Sequence, residues 1–424
     1  MMPDINTAQS DENLDVAIIG AGIIGLASAY HLLNAGRKVT LIDRQGVALG
    51  ASFGNAGAFA FSDVLPMATS GVLKKLPRWL LDPLGPLTIP PAYLPTILPW
   101  LLKFWRSGWP DRTAASIAAQ SGLMRLASSE MAAMVAGAGI AGMVRADGSL
   151  ELYESEDELS AAGPGWAARK AQGIGFEHLR GAELSALQPG LSSRFPVGTF
   201  VAAWQTVTDP YQFATGLWTY AQGQGATLIN DEVTSLRPDG QGAGITLKSG
   251  RALSASKAIV ATGAWSKTLT EPLGDRIPLE TERGYNTTLP LGAFDLRRQL
   301  IFGGHGFVVT PLSTGIRVGG AVELGGLNLP PNFARADAML KKAASFMPGL
   351  RTTGGKQWMG FRPSMPDSLP AIGASSASPN IIYAFGHGHL GLTQSAATGR
   401  LVAALVAGTT PAVDLKPFRP QRFS

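Results

Sequence analysis

The stretch DVAIIGAGIIGLASAYHLLNAGRKVTLIDR, residues 15–44, decides the fold of this chain. Its apolar run 16–19 predicts a strand, and residues 23–33 predict a helix that ends at Gly36. Residues 39–42 predict a second buried strand. Strand, glycine turn, helix and strand in this order form a βαβ unit. The sequence therefore predicts an α/β fold built on a parallel sheet.

The turn between the first strand and the helix carries the pattern G-x-G-x-x-G. Its first glycine allows a sharp turn, the second lets a pyrophosphate approach the backbone, and the third lets the helix pack on the strand. Free N–H groups at the start of a helix attract phosphates. Asp43 ends the second strand, where a carboxylate can accept hydrogen bonds from ribose hydroxyls. The predicted dinucleotide site comprises Gly20, Gly22, Ile24, Gly25, Asp43 and Arg44.

Composition excludes several classes of protein. Of 424 residues, 15% are charged and 45% are hydrophobic, which is not the profile of a disordered chain. The net charge of +5 is spread along the chain without a basic aromatic motif, so no nucleic-acid partner is expected. Absence of cysteine excludes disulfides and cysteine-ligated metals and fits a reducing compartment. His387 and His389 have no third ligand beside them, so no metal site is predicted.

Neither a secretory signal nor an uninterrupted apolar run of 18 residues is visible, so we expect a cytoplasmic protein. Residues 66–112 differ from the rest of the chain, because they hold nine of the 29 prolines and four of the nine tryptophans. Two interpretations stay open for this segment. It is a lid over the substrate domain, or it is a set of short turns that contacts the inner face of the cell membrane.

Four blocks of sequence resemble the D-amino-acid oxidase-like flavoproteins, a family that includes glycine oxidase, sarcosine oxidase and bacterial D-amino-acid dehydrogenase. The resemblance is strongest to the small-subunit type of the dehydrogenase. The blocks are the βαβ unit, ALGASFGNAG (48–57), IVATGAWS (259–266), and MGFRPSMPDSLPAIG (359–373) running into FGHGHLGLTQSAATGRL (385–401).

The resemblance implies a Rossmann-like FAD-binding domain and an α+β substrate domain with an antiparallel sheet. Both domains are assembled from segments that are distant in the sequence. The expected segments are 14–65, 165–262 and 355–410 for the FAD-binding domain, 66–164 and 263–354 for the substrate or cap domain, and 1–13 for a flexible N-terminal tail.

The resemblance also implies FAD as the cofactor. Some relatives link the flavin covalently to cysteine or histidine. This chain has no cysteine and no histidine between residues 31 and 178, so we expect noncovalent FAD. The residues implied are Ala51, Ser52, Asn55, Ala56, Gly57 and Ala58 beside the pyrophosphate and isoalloxazine, Val233 at the adenine, Gly263 and Trp265 near the ribityl–adenine arm, and His389, Leu390, Gly391, Leu392 and Thr393 along the pyrimidine edge.

Arg362 is the main candidate for substrate binding, because the arginine of the matching block in glycine oxidase-like relatives holds the substrate carboxylate. A guanidinium makes two parallel charge-assisted bonds to a carboxylate. The alternative is a structural arginine paired with Asp367. Tyr285 could bond the same carboxylate or fill a core, and His305 could bind substrate or be structural. Arg317 falls near the oxygen-activating lysine of sarcosine oxidase-type relatives, a departure that favours a dehydrogenase.

The expected reaction is FAD-dependent oxidation of a small amino acid to an imino acid. A D-amino acid, including D-proline or hydroxyproline, is the expected substrate, and quinone or another carrier the expected electron acceptor. Two alternatives stay open: a glycine/sarcosine-type or opine oxidase of the same family, and a flavin subunit of a larger complex without turnover of its own.

Overall fold

A computed structural model describes residues 12–68, 85, 87–240 and 242–423. Most of the predicted tail 1–13 and part of the segment 66–112 lie outside these residues. The helices are α1 (Ile23–Asn34), α2 (Leu94–Ser107), α3 (Pro110–Gly137), α4 (Glu156–Ala171), α5 (Gly181–Leu187), α6 (Pro210–Gly223), α7 (Lys267–Thr270), α8 (Ala334–Phe346) and α9 (Gly391–Ala407).

The strands follow in the same way. They are β1 (Glu12–Ile19), β2 (Val39–Ile42), β3 (Ala58–Phe59), β4 (Leu87–Thr88), β5 (Val144–Arg145), β6 (Ser149–Tyr153), β7 (Glu177–Arg180), β8 (Val197–Val201), β9 (Gln205–Val207), β10 (Thr227–Ile229), β11 (Val233–Asp239), β12 (Gly242–Leu247), β13 (Ala252–Val260), β14 (Glu280–Leu289), β15 (Gln299–Phe302), β16 (Phe307–Leu312), β17 (Gly315–Glu323), β18 (Lys356–Ser364), β19 (Ala371–Ala374) and β20 (Ile381–Phe385).

The first sheet contains the predicted βαβ unit. In the described part of the chain it has eight strands, in the order β10-β2-β1-β13-β12-β11, with β20 beside β13 and β19 beside β20. Strands β10, β2, β1, β13 and β20 run parallel. Along β1, Val16 and Ile18 pack into one core, while Ala17 and Ile19 pack into another on the opposite face. A sheet covered on both faces explains the continuous apolar runs of its strands.

The second sheet has nine described strands, in the order β18-β14-β17-β16-β15-β6-β8-β7, with β4 beside β17. Most of its pairs are antiparallel, as expected for a substrate domain. Phe302, Phe307 and Phe346 of α8 stack on one face and form part of its core. The other face is turned toward the first sheet and carries the shorter and more polar side chains discussed below.

Residues 227–239 form two strands with different partners, because β10 pairs with β2 whereas β11 pairs with β12. The membrane interpretation of 66–112 expected short turns, but residues 94–107 form helix α2. Pro95 lies in its first turn, where a backbone N–H has no helical partner, so only Pro99 removes a hydrogen bond inside the helix.

Most residues of helix α9 are buried. The stretch Gly388–Ala407 is long and apolar enough to cross a membrane by length and composition, but 78% of its most apolar window is buried inside the protein. There α9 packs against α1 and α3. This burial explains its composition, because a helix that is apolar on all sides belongs to a core as readily as to a membrane.

Candidate active site

One cavity of about 760 Å³ runs between the two sheets. Its volume is within the range of small-molecule sites in proteins. The glycine turn and Asp43 line one end, and Arg362 with the inner face of the second sheet lines the other. Segments that are distant in the sequence therefore meet around one cavity.

The glycines of the turn are required by close packing. Gly20 has φ +108°, and a Cβ there would lie 2.5 Å from the carbonyl oxygen of Ala261 at the end of β13. A Cβ on Gly25 would lie 2.0 Å from the carbonyl oxygen of Gly20. No side chain caps α1 at Gly22, although the N–H of Ile23 donates to Ser52 Oγ at 2.9 Å. The start of α1 therefore presents backbone N–H groups to the cavity, as a pyrophosphate requires.

Asp43 is held in place at the end of β2. Its Oδ2 accepts from the N–H of Ala21 at 2.8 Å, and its Oδ1 accepts from the N–H of Gln45 at 2.8 Å. The N–H of Gly46 also donates to Oδ1, at 3.2 Å. An ionised carboxylate has about four acceptor sites, so one remains for a ribose hydroxyl. The Arg44 guanidinium lies 4.5 Å from the centre of the Trp265 ring. The predicted residue Val233 lines the cavity at the same end, as do Ile24 and Gly263.

The segment 51–58 follows the cavity from the turn toward Arg362. Asn55 folds onto its own backbone, because its Oδ1 accepts from the N–H of Gly57 at 2.8 Å and its Nδ2 donates to the Ser52 carbonyl at 3.1 Å. Arg317 donates to the Asn55 carbonyl at 2.6 Å. Burial lowers the pKa of Arg317 to about 10, so it is a cation in the cavity wall at neutral pH. Ala51, Ser52, Ala56 and Ala58 also line the cavity.

Three predicted cofactor residues do not line the cavity. Gly25 is one of them, because its role is the close packing against Gly20. Gly57, with φ +68°, packs against Leu312, where a Cβ would lie 3.0 Å from a methyl group. Thr393 is buried, accepts from the N–H of Ala60 at 3.0 Å and donates to the Ala58 carbonyl at 3.2 Å. Gly57 and Thr393 both position segment 51–58, and neither supplies a group to the cavity.

A second helix begins at the cavity. No side chain caps α9 at Leu390, and its first turn contains no acidic residue. His389, Leu390, Gly391 and Leu392 line the cavity there. The N–H groups of this first turn therefore form a second region of positive potential, separate from the start of α1.

His389 is paired with an acid. Its Nε2 lies 3.1 Å from Asp63 Oδ2, and Arg169 Nη2 lies 3.8 Å from the other oxygen of the same carboxylate. Burial opposes the charged form of both partners, but their pairing dominates, so the pKa of His389 is raised and the pKa of Asp63 is lowered. No motif in the sequence singled out Asp63.

Arg362 faces the cavity from β18. It lies opposite Glu282 of β14, and a Cβ on Gly284 would lie 2.4 Å from Arg362 Nη2. Asp367, the alternative partner considered above, instead holds Arg422 at 2.7 Å. Burial lowers the pKa of Arg362 and Glu282 opposes this shift. Within the described part of the chain, Arg362 has no hydrogen bond or ion pair, so its guanidinium is available to a ligand.

The two other predicted catalytic side chains are not available. Tyr285 is 1% exposed, and its hydroxyl donates to Glu323 Oε2 at 2.5 Å and accepts from the N–H of Asn332 at 3.0 Å. His305 does not line the cavity, and its Nε2 lies 2.6 Å from Glu154 Oε1. The structure therefore supports the core-filling and structural alternatives for these residues, because their polar atoms are already engaged elsewhere.

These features fit FAD. The glycine cradle and the start of α1 suit a pyrophosphate, Asp43 suits a ribose, and the start of α9 lies farther along the same cavity. A second polar group of the cavity wall also lacks a protein partner among the described residues, namely the buried Oδ1 of Asn286. Such atoms are expected where a bound group supplies the missing bond.

Comparisons with known proteins agree with this geometry. Residues 15–405 match the family described as FAD dependent oxidoreductase. A D-amino-acid oxidase of Bradyrhizobium diazoefficiens is 38% identical over 97% of this chain and 99% of its own length. A D-amino acid dehydrogenase of Rhizobium rhizogenes is 31% identical over 97% of this chain and 100% of its own length.

Among solved structures, glycine oxidase from Geobacillus kaustophilus has the same fold, with a TM-score of 0.77 and 21% identity over 97% of this chain and 99% of that one. The match of the family over nearly the whole chain agrees with the positions of the glycine cradle and both helix starts. The chain therefore belongs to the FAD dependent oxidoreductase family, and FAD is the dinucleotide that its cavity binds.

Proposed function

We propose that this protein oxidises a D-amino acid at Cα to the corresponding imino acid. The observation that carries the proposal is Arg362, a cavity-facing guanidinium without a hydrogen bond or ion pair in the described part of the chain. A carboxylate is the ligand that such a fork binds best. The names of the relatives, D-amino-acid oxidase and D-amino acid dehydrogenase, support both the substrate class and its stereochemistry.

In this proposal the protein positions the substrate and stabilises charge. FAD, when bound, supplies an acceptor for a hydride. Arg362 fixes the carboxylate with two parallel bonds, and this orientation of the Cα–H contributes much of the rate. The uncapped start of α9 offers N–H groups to negative charge that develops on the cofactor.

The reaction balances without a side-chain base when the substrate binds as the free amine. The nitrogen lone pair forms the C=N bond as Cα loses a hydride, so two electrons and one proton leave the substrate together. One N–H proton is then lost to water. The imine adds water and releases ammonia to give a 2-oxo acid, whereas a proline analogue gives a cyclic imine.

The electron acceptor distinguishes two functions. We propose quinone or another carrier, and the relative named D-amino-acid oxidase favours oxygen as the second candidate. Peroxide formed with oxygen as the sole acceptor identifies an oxidase, including a glycine/sarcosine-type or opine oxidase. Turnover of the isolated chain with an artificial dye excludes a flavin subunit that has no activity of its own.

The proposal is tested by mixing the FAD-loaded protein anaerobically with both enantiomers of alanine, proline, 4-hydroxyproline, norleucine and lysine. D-amino acids should bleach the oxidised flavin absorbance, and the L-enantiomers should bleach it more slowly. Absence of bleaching with every amine would refute the proposal, and faster bleaching by the L-enantiomers would refute its stereochemistry.

We further propose that α2 contacts an anionic membrane surface. One side of the helix and the residue that follows it expose five large apolar side chains, each between 43% and 58% exposed. These are Leu94, Leu98, Leu102, Trp105 and Trp109. Lys103 and Arg106 lie on the same helix. Arg106 pairs with Asp111 at 2.9 Å and lies 4.6 Å from the centre of the Trp109 ring, and Lys103 Nζ lies 5.6 Å from the centre of the Phe423 ring. Tryptophan and basic side chains beside an apolar stripe are typical of helices that lie in the headgroup region.

This second proposal predicts that the protein cosediments with anionic phospholipid vesicles and less with zwitterionic ones. Replacing Leu102 and Trp105 with serine should abolish binding, whereas Leu291→Ser is the matched control, because Leu291 is 67% exposed outside this helix. A protein that stays in the supernatant with both vesicle types would refute the contact.

A further inference from the structure

The inner face of the second sheet forms one wall of the cavity across six adjoining strands, from β18 to β6. Three charged residues of this sheet line the cavity: Arg362 on β18, Arg317 on β17 and Glu151 on β6. The glycines between them add no side chains to this face of the sheet. They include Gly284, Gly319 and Gly306. The wall therefore has a cation where the proposed function places the carboxylate and a carboxyl group at its far end.

Glu151 is the carboxylate at that end that is not neutralised by the protein. Asp63 nearby is paired with both His389 and Arg169, but no cation lies within ion-pair distance of Glu151 in the described ranges. Burial raises the pKa of the Glu151 carboxyl, and Arg169 from a distance and a hydrogen bond with the Tyr153 hydroxyl both oppose this shift. A Cβ on Gly303 would lie 3.0 Å from Glu151 Oε1, so the glycine leaves room for the carboxylate.

A second acceptor lies next to Glu151. Ile301 of β15 pairs with Glu151, which places Gln299 diagonally beside it on the same face of the sheet. Gln299 is 2% exposed and lines the cavity, and its Oε1 has no hydrogen-bond partner among the residues that the structure describes. A buried acceptor without a donor is costly unless a ligand supplies one. Gln299 Oε1 therefore requires a hydrogen-bond donor, and Glu151, which the Tyr153 hydroxyl already supplies with one donor, has acceptor sites left beside it. A group with several N–H donors, such as an ammonium or a guanidinium, fits both.

The distance between Arg362 and Glu151 is too long for a compact substrate to contact both residues. Five steps between strands, at about 4.8 Å each, separate β18 from β6, roughly 24 Å in a flat sheet and less in a twisted one. The side chains of Arg362 and Glu151 both extend into this space. Alanine or glycine bound to Arg362 cannot contact Glu151, whereas a side chain of four or five atoms with a terminal nitrogen extends toward it.

We propose that Glu151 and Gln299 form the subsite for the substrate side chain, and that the enzyme prefers D-amino acids with a terminal cation, the class of lysine, ornithine and arginine. This inference rests on the proposed function and departs from the expectation of a small substrate. Glu151 determines specificity in this scheme and takes no part in the oxidation itself.

The test compares kcat/KM for D-lysine and D-norleucine, which differ by the terminal ammonium group. The parent protein should prefer D-lysine, and Glu151→Gln should lower the ratio of D-lysine to D-norleucine roughly thirtyfold to several thousandfold, because it removes one partner of a buried charge pair. Glu158→Gln is the matched control, since Glu158 lies in the same region, does not line the cavity and accepts a bond from the N–H of Glu154. This control should keep the ratio of the parent.

A measurement on the parent protein alone keeps the inference testable if Glu151→Gln fails to fold. Acetylation of the side-chain amine of D-lysine removes its charge and should lower kcat/KM at least roughly tenfold, the loss expected for one buried charged contact. The subsite would be overturned if the parent protein reduced its flavin with D-norleucine as efficiently as with D-lysine. It would also be overturned if a folded Glu151→Gln variant kept the parent's ratio of kcat/KM for D-lysine to kcat/KM for D-norleucine. Either result would leave the proposed function intact. Absence of reduction by any D-amino acid would instead refute the proposed function.

Discussion

Replacing Arg362 with alanine should raise the substrate concentration that half-saturates flavin reduction. In the described structure this guanidinium has no hydrogen bond or ion pair, and it lines the cavity. Removal of one partner from a buried, hydrogen-bonded charge pair costs about 2–5 kcal/mol. Because each 1.4 kcal/mol is a factor of ten, the half-saturating concentration should rise roughly thirtyfold to several thousandfold. Rapid mixing of the anaerobic enzyme with substrate, followed by flavin absorbance, measures this value.

Stability has to be separated from binding in this experiment. Glu282 is 3% exposed and lies opposite Arg362, and its Oε2 has no hydrogen-bond partner among the described residues. Loss of the guanidinium removes a cation beside this carboxylate and leaves His389 as the charged group that interacts with it, so the melting temperature and FAD content of the variant must also be measured. Arg362→Lys keeps the charge but loses the fork, and should give an intermediate value. Arg351→Ala removes an exposed arginine that does not line the cavity and should behave as the parent.

A substrate without a carboxylate gives the sharpest comparison. The amide of the same amino acid cannot form the pair with Arg362, so parent and alanine variant should reduce the flavin with similar half-saturating concentrations of it. An alanine variant that holds FAD and saturates with the amino acid at the concentration of the parent would show that Arg362 does not bind the carboxylate.

Three further predictions follow from the packing of single residues. A Cβ on Gly22 would meet only Ser52 Oγ, at 3.4 Å, so the Gly22→Ala variant should keep the melting temperature of the parent. The added methyl group faces the pyrophosphate, so a titration of the apoprotein should show FAD binding that is at least roughly tenfold weaker. Tyr285→Phe removes one of the two donors to buried Glu323 Oε2, since Arg283 remains, and also removes the acceptor of the Asn332 N–H. It should lower the free energy of unfolding by about 1–3 kcal/mol, measured with urea, while the half-saturating substrate concentration stays that of the parent. Burial lowers the pKa of His387 from 6.5 to about 3, so the unfolded chain takes up a proton below pH 6.5 that the folded chain does not. The free energy of unfolding should therefore fall as the pH decreases from 6.5, by up to about 1.4 kcal/mol per pH unit from this group, and His387→Gln should reduce that slope in urea titrations at pH 7, 5.5 and 4.5.

The cofactor end of the cavity could be predicted from sequence because its requirements are local. A turn that brings N–H groups to a phosphate needs glycines at fixed spacing, and Gly20 and Gly25 show why, since a Cβ at either would collide with a neighbouring carbonyl oxygen. Asp43 follows at the end of the next strand, within the same 30 residues. Strand, helix and ligand site are thus encoded together in one short stretch.

Tyr285 shows where prediction of a site residue from the sequence fails. Gly284, Tyr285 and Asn286 of β14 all contribute to the cavity lining, but the Tyr285 ring packs in the core of the second sheet and its hydroxyl is bonded to Glu323. A sequence motif that contains all three residues does not specify which of them faces the ligand, because a shift of one residue reverses every side chain. The register is set by pairing with β17 and β18, whose residues lie about 30 to 80 positions further along the chain.

The end of the cavity near Glu151 has no recognisable sequence motif for a related reason. Glu151 and Gln299 are neighbours only because β6 and β15, separated by almost 150 residues, pair in parallel. Recognition of a pyrophosphate depends on backbone groups, and glycine spacing reveals these, whereas recognition of a substrate side chain depends on individual side chains that tertiary pairing brings together. Members of this family can therefore share the cofactor motif and still differ in substrate, since a change of one residue on β6 or β15 alters the charge of the wall without disturbing the glycine turn.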